Sequence, residues 1–326
     1  MDQVLVTGVT GLVGNNVVRL LLERRNSVRV LIRDGSDPRP LDGLNVDTLH
    51  GDIRDAAAIR LACEGVSTVI HCAAHVHIGW TGLELQRRIN VHGTAQVADA
   101  ARQADARLIH VSSVDALGLG TRDHPADEET PLTRSVPCPY VITKREAERE
   151  VLQHVAEGLD AIIVNPGYML GPWDWKPSSG RMLLGVARGG TFVSPRGVST
   201  VCDVRDVADG ILAAVERGKT GRRYIFSGKS LSYLELWRIM ADVTGARRPI
   251  CRSGPFFMLA AGVWGDLRTR FTGREGDVNS ASVAMSSQAN YHTSERAAAE
   301  LGYRSRPPRE SVADAWDWFQ RYGYVK

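Results

Sequence analysis

Cysteine is scarce in this chain: there are five in 326 residues, Cys63, Cys72, Cys138, Cys202 and Cys251, with no paired spacing among them. Their odd number and scatter exclude a disulfide framework and a thiolate zinc site, and they lead us to expect reduced thiols in the cytoplasm. Long apolar runs are missing too, and no stretch approaches the roughly eighteen residues of a membrane span. The opening MDQVLVTG runs straight into a strand pattern, without the basic region and apolar core of a signal peptide. Charge of one sign is also lacking. The net charge is +3, from 40 basic and 37 acidic residues, and the basic residues form no long run, so nucleic acid is not an expected partner. Internal repeats and low-complexity segments are absent. What is present, 43% hydrophobic and 24% charged residues, suits a globular chain of one large domain or two ordinary ones.

The first half alternates strand and helix patterns. Residues 4–8, 28–33, 46–52, 67–74 and 106–113 read as strands. Residues 11–25, 55–64 and 84–104 read as helices, and a strand at 161–167 follows the helix that begins near Tyr140. Apolar strands in strict alternation with helices indicate an α/β fold, a Rossmann-type doubly wound parallel sheet covered on both faces. After Pro166 the rhythm breaks. Residues 166–200 read as loops with one short helix, then a strand and helix return over 200–217 and a strand over 222–227. The remainder is mostly helical, with loops at 246–255 and 272–292. The expected organisation is a dinucleotide-binding domain at 1–165, completed by about 198–229. A smaller, mainly helical substrate lobe would be built from 166–197 and 230–326.

Two local patterns carry chemistry. TGVTGLVG (7–14) lies between the first strand and its helix. There Gly8 permits a tight turn, Gly11 lets the backbone approach a pyrophosphate, and Gly14 lets helix and strand pack closely. The helix N-terminus then offers free N–H groups to an anion. In PYVITK (139–144), Tyr140 and Lys144 stand four apart on one helix face. An ammonium beside a phenol favours the phenolate, so the tyrosine pKa is expected to fall towards neutrality and suit proton transfer.

Taken in order, TGVTGLVG, HGDIRD, VIHCAA, INVHGT, VSSVDALG, PYVITK and VNPGYMLGP resemble the extended short-chain dehydrogenase/reductase (NAD-dependent epimerase/dehydratase) family. The likeness is to its dihydroflavonol-reductase and 3β-hydroxysteroid-dehydrogenase branch and to bacterial hopanoid-associated sugar epimerase-like proteins. The C-terminal run SSQANYHTSERAAAELGYRSRPPRESVADAWDWF also fits. The resemblance implies a catalytic set of Ser113, Tyr140 and Lys144, with Ser112 alongside. It implies cofactor contacts from Gly8, Thr10, Gly11, Leu12, Val13, Gly14, Arg33, Asp52, Ile53, Ala73, Ala74, Asn90, Tyr140, Lys144 and Pro166. Asp52 and Ile53 match the pair that holds the adenine, and Asn90 would hold a water or a backbone carbonyl behind the site.

Cofactor choice turns on the end of the second strand, where a carboxylate suits the NAD ribose and an arginine suits the NADP phosphate. Ile32 stands where many NAD enzymes have aspartate and Arg33 follows it, so NADP is expected. Asp34, turned inward, would make NAD the alternative. His75, His77, Asp115 and Tyr168 are candidate substrate contacts, and His75 and His77 lack partners at metal-ligand spacing, so no metal is expected. The apolar stretch 255–271, with arginines at one end, is expected to wall the substrate pocket, contact with a membrane surface being the alternative, and Trp173 and Trp175 point to a substrate of low polarity. Tyr168 occupies the position where galactose-type epimerases carry an asparagine that contacts the sugar nucleotide. The expected activity is reduction of a carbonyl, or oxidation of the matching alcohol, on a fairly hydrophobic small molecule by a Ser-Tyr-Lys mechanism. A nucleotide-sugar epimerase and an inactive dinucleotide-binding regulator are the alternatives, and a homodimer is expected from the relatives.

Overall fold

A computed structural model describes residues 3–133, 135–189 and 192–325. Its main sheet takes strands β1 (Gln3–Thr7), β2 (Ser27–Ile32), β3 (Asp47–His50), β4 (Val66–His71), β5 (Arg107–Val111), β6 (Ala161–Pro166) and β10 (Arg223–Phe226). Their spatial order is β10-β6-β5-β4-β1-β2-β3, and every neighbouring pair is parallel. The order reverses direction between β1 and β4. At such a switch point a crevice opens beyond the strand carboxyl ends.

Helices α1 (Leu12–Glu23) and α7 (Val204–Arg217) cover one face, and α2 (Ala56–Cys63), α4 (Gly93–Gln103) and α5 (Pro139–Ala156) cover the other. Period-two alternation assigns the side chains: Val4 and Val6 join the core under α1 and α7, while Leu5 between them joins the core under α2 and α4. Apart from the largely exposed edge strand β3, both faces are buried, which is why these strands read as continuous apolar runs rather than alternating ones. The short helix α3 (Leu83–Gln86) continues through a π-helical stretch, Arg87–His92, into α4. The expected helix at 84–104 thus contains a widened turn, and Asn90 sits inside it.

Beyond β6 the chain builds smaller pieces. A three-stranded sheet joins β7 (Tyr168–Leu170), β9 (Val198–Asp203) and β11 (Lys229–Ser232), and β8 (Val193–Ser194) pairs with β12 (Cys251–Arg252). Thus β10 joins the main sheet, whereas β9 pairs with β7 and β11. Helices α6 (Gly180–Ala187), α8 (Tyr233–Thr244) and α12 (Pro308–Arg321) share a core of Leu183, Leu236, Met240, Val312 and Phe319. Helices α9 (Pro255–Thr272), α10 (Ser280–Ser286) and α11 (Glu295–Leu301) complete the chain. The loop expected over 272–292 contains α10. That helix is made of small residues with no charged periodicity, and it is started by a reciprocal capping box between Asn279 and Ser282.

Two further expectations are corrected. Helix α9 turns its bulky side chains to solvent: Phe256 is 86% exposed and Trp264 71%, while the residues it buries are Gly262 and Gly265. Glycine is needed there because α10 and its lead-in pass so close that a Cβ on Gly265 would lie 2.0 Å from the Val278 carbonyl oxygen. Exposed on this scale, the helix does not wall a pocket. Trp173 and Trp175 pack against Trp318 and Tyr322 of the C-terminal segment, with the Arg19 guanidinium 3.3 Å above the Trp173 ring. They carry lobe packing, so they say little about substrate polarity.

Candidate active site

The glycine turn follows from backbone demands. Gly8 has φ +74°, and a Cβ there would fall 2.5 Å from the Ala73 nitrogen; one on Gly14 would fall 2.4 Å from the Gly8 carbonyl oxygen. Gly11 N–H closes the turn onto the Gly8 carbonyl at 3.0 Å, and the Gly11 carbonyl accepts the first helical bond from Asn15 N–H at 3.0 Å. The N–H groups of Leu12, Val13 and Gly14 therefore have no carbonyl within α1. No side chain caps this terminus and no acidic residue lies in its first turn. A helix end of this kind, with bare backbone held close by Ala73, fits the diphosphate of a dinucleotide.

Alongside lies a cleft of about 820 Å³ lined by Thr10, Arg33, Asp52, Trp175 and Lys176, among others. The Asp52 carboxylate is gripped by Arg54, with Nε donating to Oδ1 at 2.9 Å and a terminal nitrogen to Oδ2 at 2.8 Å. This pairing holds the acid below the usual carboxylate range. Ile53 is buried, and its side chain presses on the Gly93 backbone. Asp34 does not turn inward: it accepts from the His50 ring at 2.8 Å on the outer side and is 91% exposed. Among the described residues the Arg33 guanidinium forms no ion pair with a carboxylate, although its charge adds weakly to the lowering of the Asp52 pKa. Arg54 and Lys176 were missed in the sequence, and Trp175 was read there only as a sign of substrate polarity. For Arg54 the signal was its place two after Asp52, where its N–H closes an Asx turn on that carboxylate; no comparable signal marks Lys176.

Ser113, Tyr140 and Lys144 come together where β5 ends and α5 begins. Ser113 Oγ donates to Asp115 Oδ2 at 3.1 Å and accepts from Asp115 N–H at 3.2 Å. Lys144 Nζ donates to the Val111 carbonyl at 3.0 Å. The expected fall in the Tyr140 pKa is not found. Burial pushes the phenol well up, the Asp115 charge adds to this, and the Ser113 hydroxyl opposes it. The ammonium is directed to a carbonyl, and burial lowers its own pKa to about 8. Burial also raises the Asp115 carboxyl. At neutral pH Tyr140 is thus a protonated acid rather than a near-phenolate.

Supporting groups surround this set. Asn90 clamps the backbone of His75, accepting from its N–H at 2.7 Å and donating to its carbonyl at 3.0 Å, and also donates to Thr143 of α5. It therefore ties the loop after β4, which carries Ala73 and Ala74, to the helix bearing Tyr140. Asn165, next to Pro166 at the end of β6, donates to the Ser113 carbonyl at 2.9 Å and to Glu148 at 2.6 Å. The buried Ser112 hydroxyl has no hydrogen-bond partner among the described residues. The Tyr168 hydroxyl donates to the Ser179 carbonyl at 2.5 Å, and the His77 ring is engaged with Glu275 at 2.9 Å. His71, unremarked in the sequence, is buried between Thr7 and Thr94 and is kept neutral, its pKa lowered by burial to about 3. Among the described residues no three His, Cys, Asp or Glu side chains cluster for a metal.

The parallel sheet, glycine turn and uncapped helix define a Rossmann-type dinucleotide-binding protein. Residues 4–226 match the NAD dependent epimerase/dehydratase family, and the chain belongs to it as an extended short-chain dehydrogenase/reductase. It is 34% identical over 325 residues to sterol demethylase protein B of Methylococcus capsulatus, covering 98% of this chain and 99% of that protein. It is 35% identical to a putative dihydroflavonol 4-reductase of Synechocystis, covering 100% and 96%. Among solved structures, gox2253 superposes with a TM-score of 0.87 at 36% identity over the whole of both chains.

Proposed function

We propose that the protein is an NADP(H)-dependent reductase of a carbonyl on a fairly hydrophobic small molecule. The observation that carries this reading is the buried, protonated Tyr140 beside Ser113 at the end of β5. An acid that holds its proton at neutral pH suits protonation of the oxygen formed when a carbonyl is reduced. Ser113 Oγ is placed to donate to that oxygen once it releases Asp115, and two donors converging on a developing oxyanion lower the barrier. Lys144 supplies positive charge beneath the pair. The residues of the glycine turn fit the diphosphate, and Arg33 fits a 2′-phosphate because among the described residues no carboxylate forms an ion pair with it and the nearby Asp52 is gripped by Arg54. When bound, the nicotinamide supplies the hydride.

Two relatives carry sterol and dihydroflavonol in their names, which supports a substrate of low polarity. Tyr168, its proton committed to Ser179, is a poor substitute for an asparagine that contacts a nucleotide sugar. We also assign homodimerisation to the helix bearing Tyr140 and a cytoplasmic location. The test is a screen of NADPH oxidation with hydrophobic ketones and aldehydes, run beside calorimetric titration with UDP-, GDP- and dTDP-sugars. The reading requires ketone or aldehyde turnover. Micromolar binding of a nucleotide sugar with no carbonyl reduced would replace it with an epimerase.

A further inference from the structure

Large apolar side chains are exposed along the whole of α9: Phe256, Phe257, Leu259, Val263, Trp264, Leu267 and Phe271. At about 100° per residue they fall within a single arc of roughly 160°. Arg270 lies at one margin of that arc and Arg268 at the other, both exposed, and among the described residues neither pairs with a carboxylate. The helix has one acid, Asp266, on its inner side, where it accepts from Ser280 N–H at 3.0 Å. We propose that α9 is an interfacial helix that docks the protein onto an anionic phospholipid surface.

An apolar arc edged by cations on both sides matches a bilayer boundary, where the rings enter the acyl region and the guanidinium groups stay among phosphates. Charge argues against a second copy of the chain. A two-fold interface sets the same patch against itself, so this patch would have to supply its own carboxylates. Its acids are already engaged: Asp266 with Ser280, Asp277 with Arg181, and Glu275 with His77, Trp80 and Thr81. Arg268 and Arg270 would then be buried unpaired, whereas lipid phosphates would satisfy them. The Glu275 clasp also fixes which part of the molecule faces the lipid. It joins the end of α9 to the loop after β4, the loop whose backbone Asn90 ties to the Tyr140 helix. Docking would set that side of the site against the bilayer.

The inference is independent of the reductase reading, because its test measures no catalysis. The full chain is co-sedimented with vesicles of phosphatidylcholine plus phosphatidylglycerol and with vesicles of phosphatidylcholine alone. Sedimentation with the anionic vesicles that weakens as salt rises is expected. R268Q/R270Q should lower the partition coefficient about fivefold for each arginine removed. F256S/W264S/F271S should abolish binding while leaving the melting temperature unchanged, since all three side chains face solvent. If the serine variant misfolds, the arginine variant alone decides. Failure to bind the anionic vesicles, or undiminished binding by R268Q/R270Q, would overturn the proposal. So would a wild-type dimer that the serine variant dissolves, with no vesicle binding by either.

Discussion

Replacing Tyr140 with phenylalanine separates the chemical role of the phenol from its packing. The side chain is 8% exposed and packs with Cys138, Val141, Ala281 and Met285, contacts that a phenylalanine ring retains. Removing the hydroxyl leaves no neighbour unsatisfied, because Ser113 already both donates to and accepts from Asp115. The stability change should therefore stay within about 1 kcal/mol, since the larger costs arise when a buried partner is orphaned. In a chain of this size that is a shift of about 3 °C in melting temperature at most. Turnover should fall at least about a hundredfold, the usual loss when a general acid is removed, equivalent to roughly 2.7 kcal/mol of barrier. Calorimetric melting, fluorescence titration with NADPH and steady-state rates on one reducible carbonyl would be measured for both proteins. Unchanged cofactor affinity with the rate collapsed is the expected pattern. A variant that binds NADPH and turns over near the wild-type rate would refute the role given to Tyr140.

Arg33→Ala should weaken NADPH binding by at least about tenfold and leave NADH nearly unaffected, since only NADPH carries the extra phosphate; equal losses in titration would show that the strand end is misread. Gly14→Ala puts a methyl 2.4 Å from the Gly8 carbonyl oxygen, so it should distort the turn and abolish dinucleotide binding, with retained affinity as the contrary result. Lys144, held at about 8 by burial, loses its charge as pH rises through that value, so the reductive rate should decline above about pH 8. Its folded pKa lies below its unfolded one, so between those values the unfolded chain binds more protons and this group makes stability rise with pH. Lys144→Met should flatten both profiles, and a wild-type-like pH profile in that variant would contradict the assignment.

Particular elements show why some features were legible in the sequence and others were not. The strands of the main sheet other than the exposed edge strand β3 are buried on both faces and separated by helices, so their composition announced them within a few residues. The glycine turn was legible because backbone geometry leaves little choice of residue at Gly8 and Gly14. Long-range partners left no such mark. Nothing in the sequence near Lys144 says that the Val111 carbonyl would draw its ammonium, or that burial would outweigh that charge and raise the Tyr140 pKa. Asp34 read as a possible ribose acceptor because the 16-residue span to its partner His50 has no local signature. For α9, apolar composition suggested burial, but the close approach of α10 to Gly262 and Gly265 selected the glycine side as the inner face.

The central claim, net reduction of a carbonyl by this site, is tested most directly by following isotope from NADPH deuterated at the nicotinamide C4. With a ketone substrate, the account predicts stoichiometric NADPH consumption and one deuterium on the carbinol carbon of the product. It also predicts that both disappear in Tyr140→Phe. A product formed without deuterium, or conversion of a substrate with no net NADPH consumed and NAD retained on the protein, would contradict it.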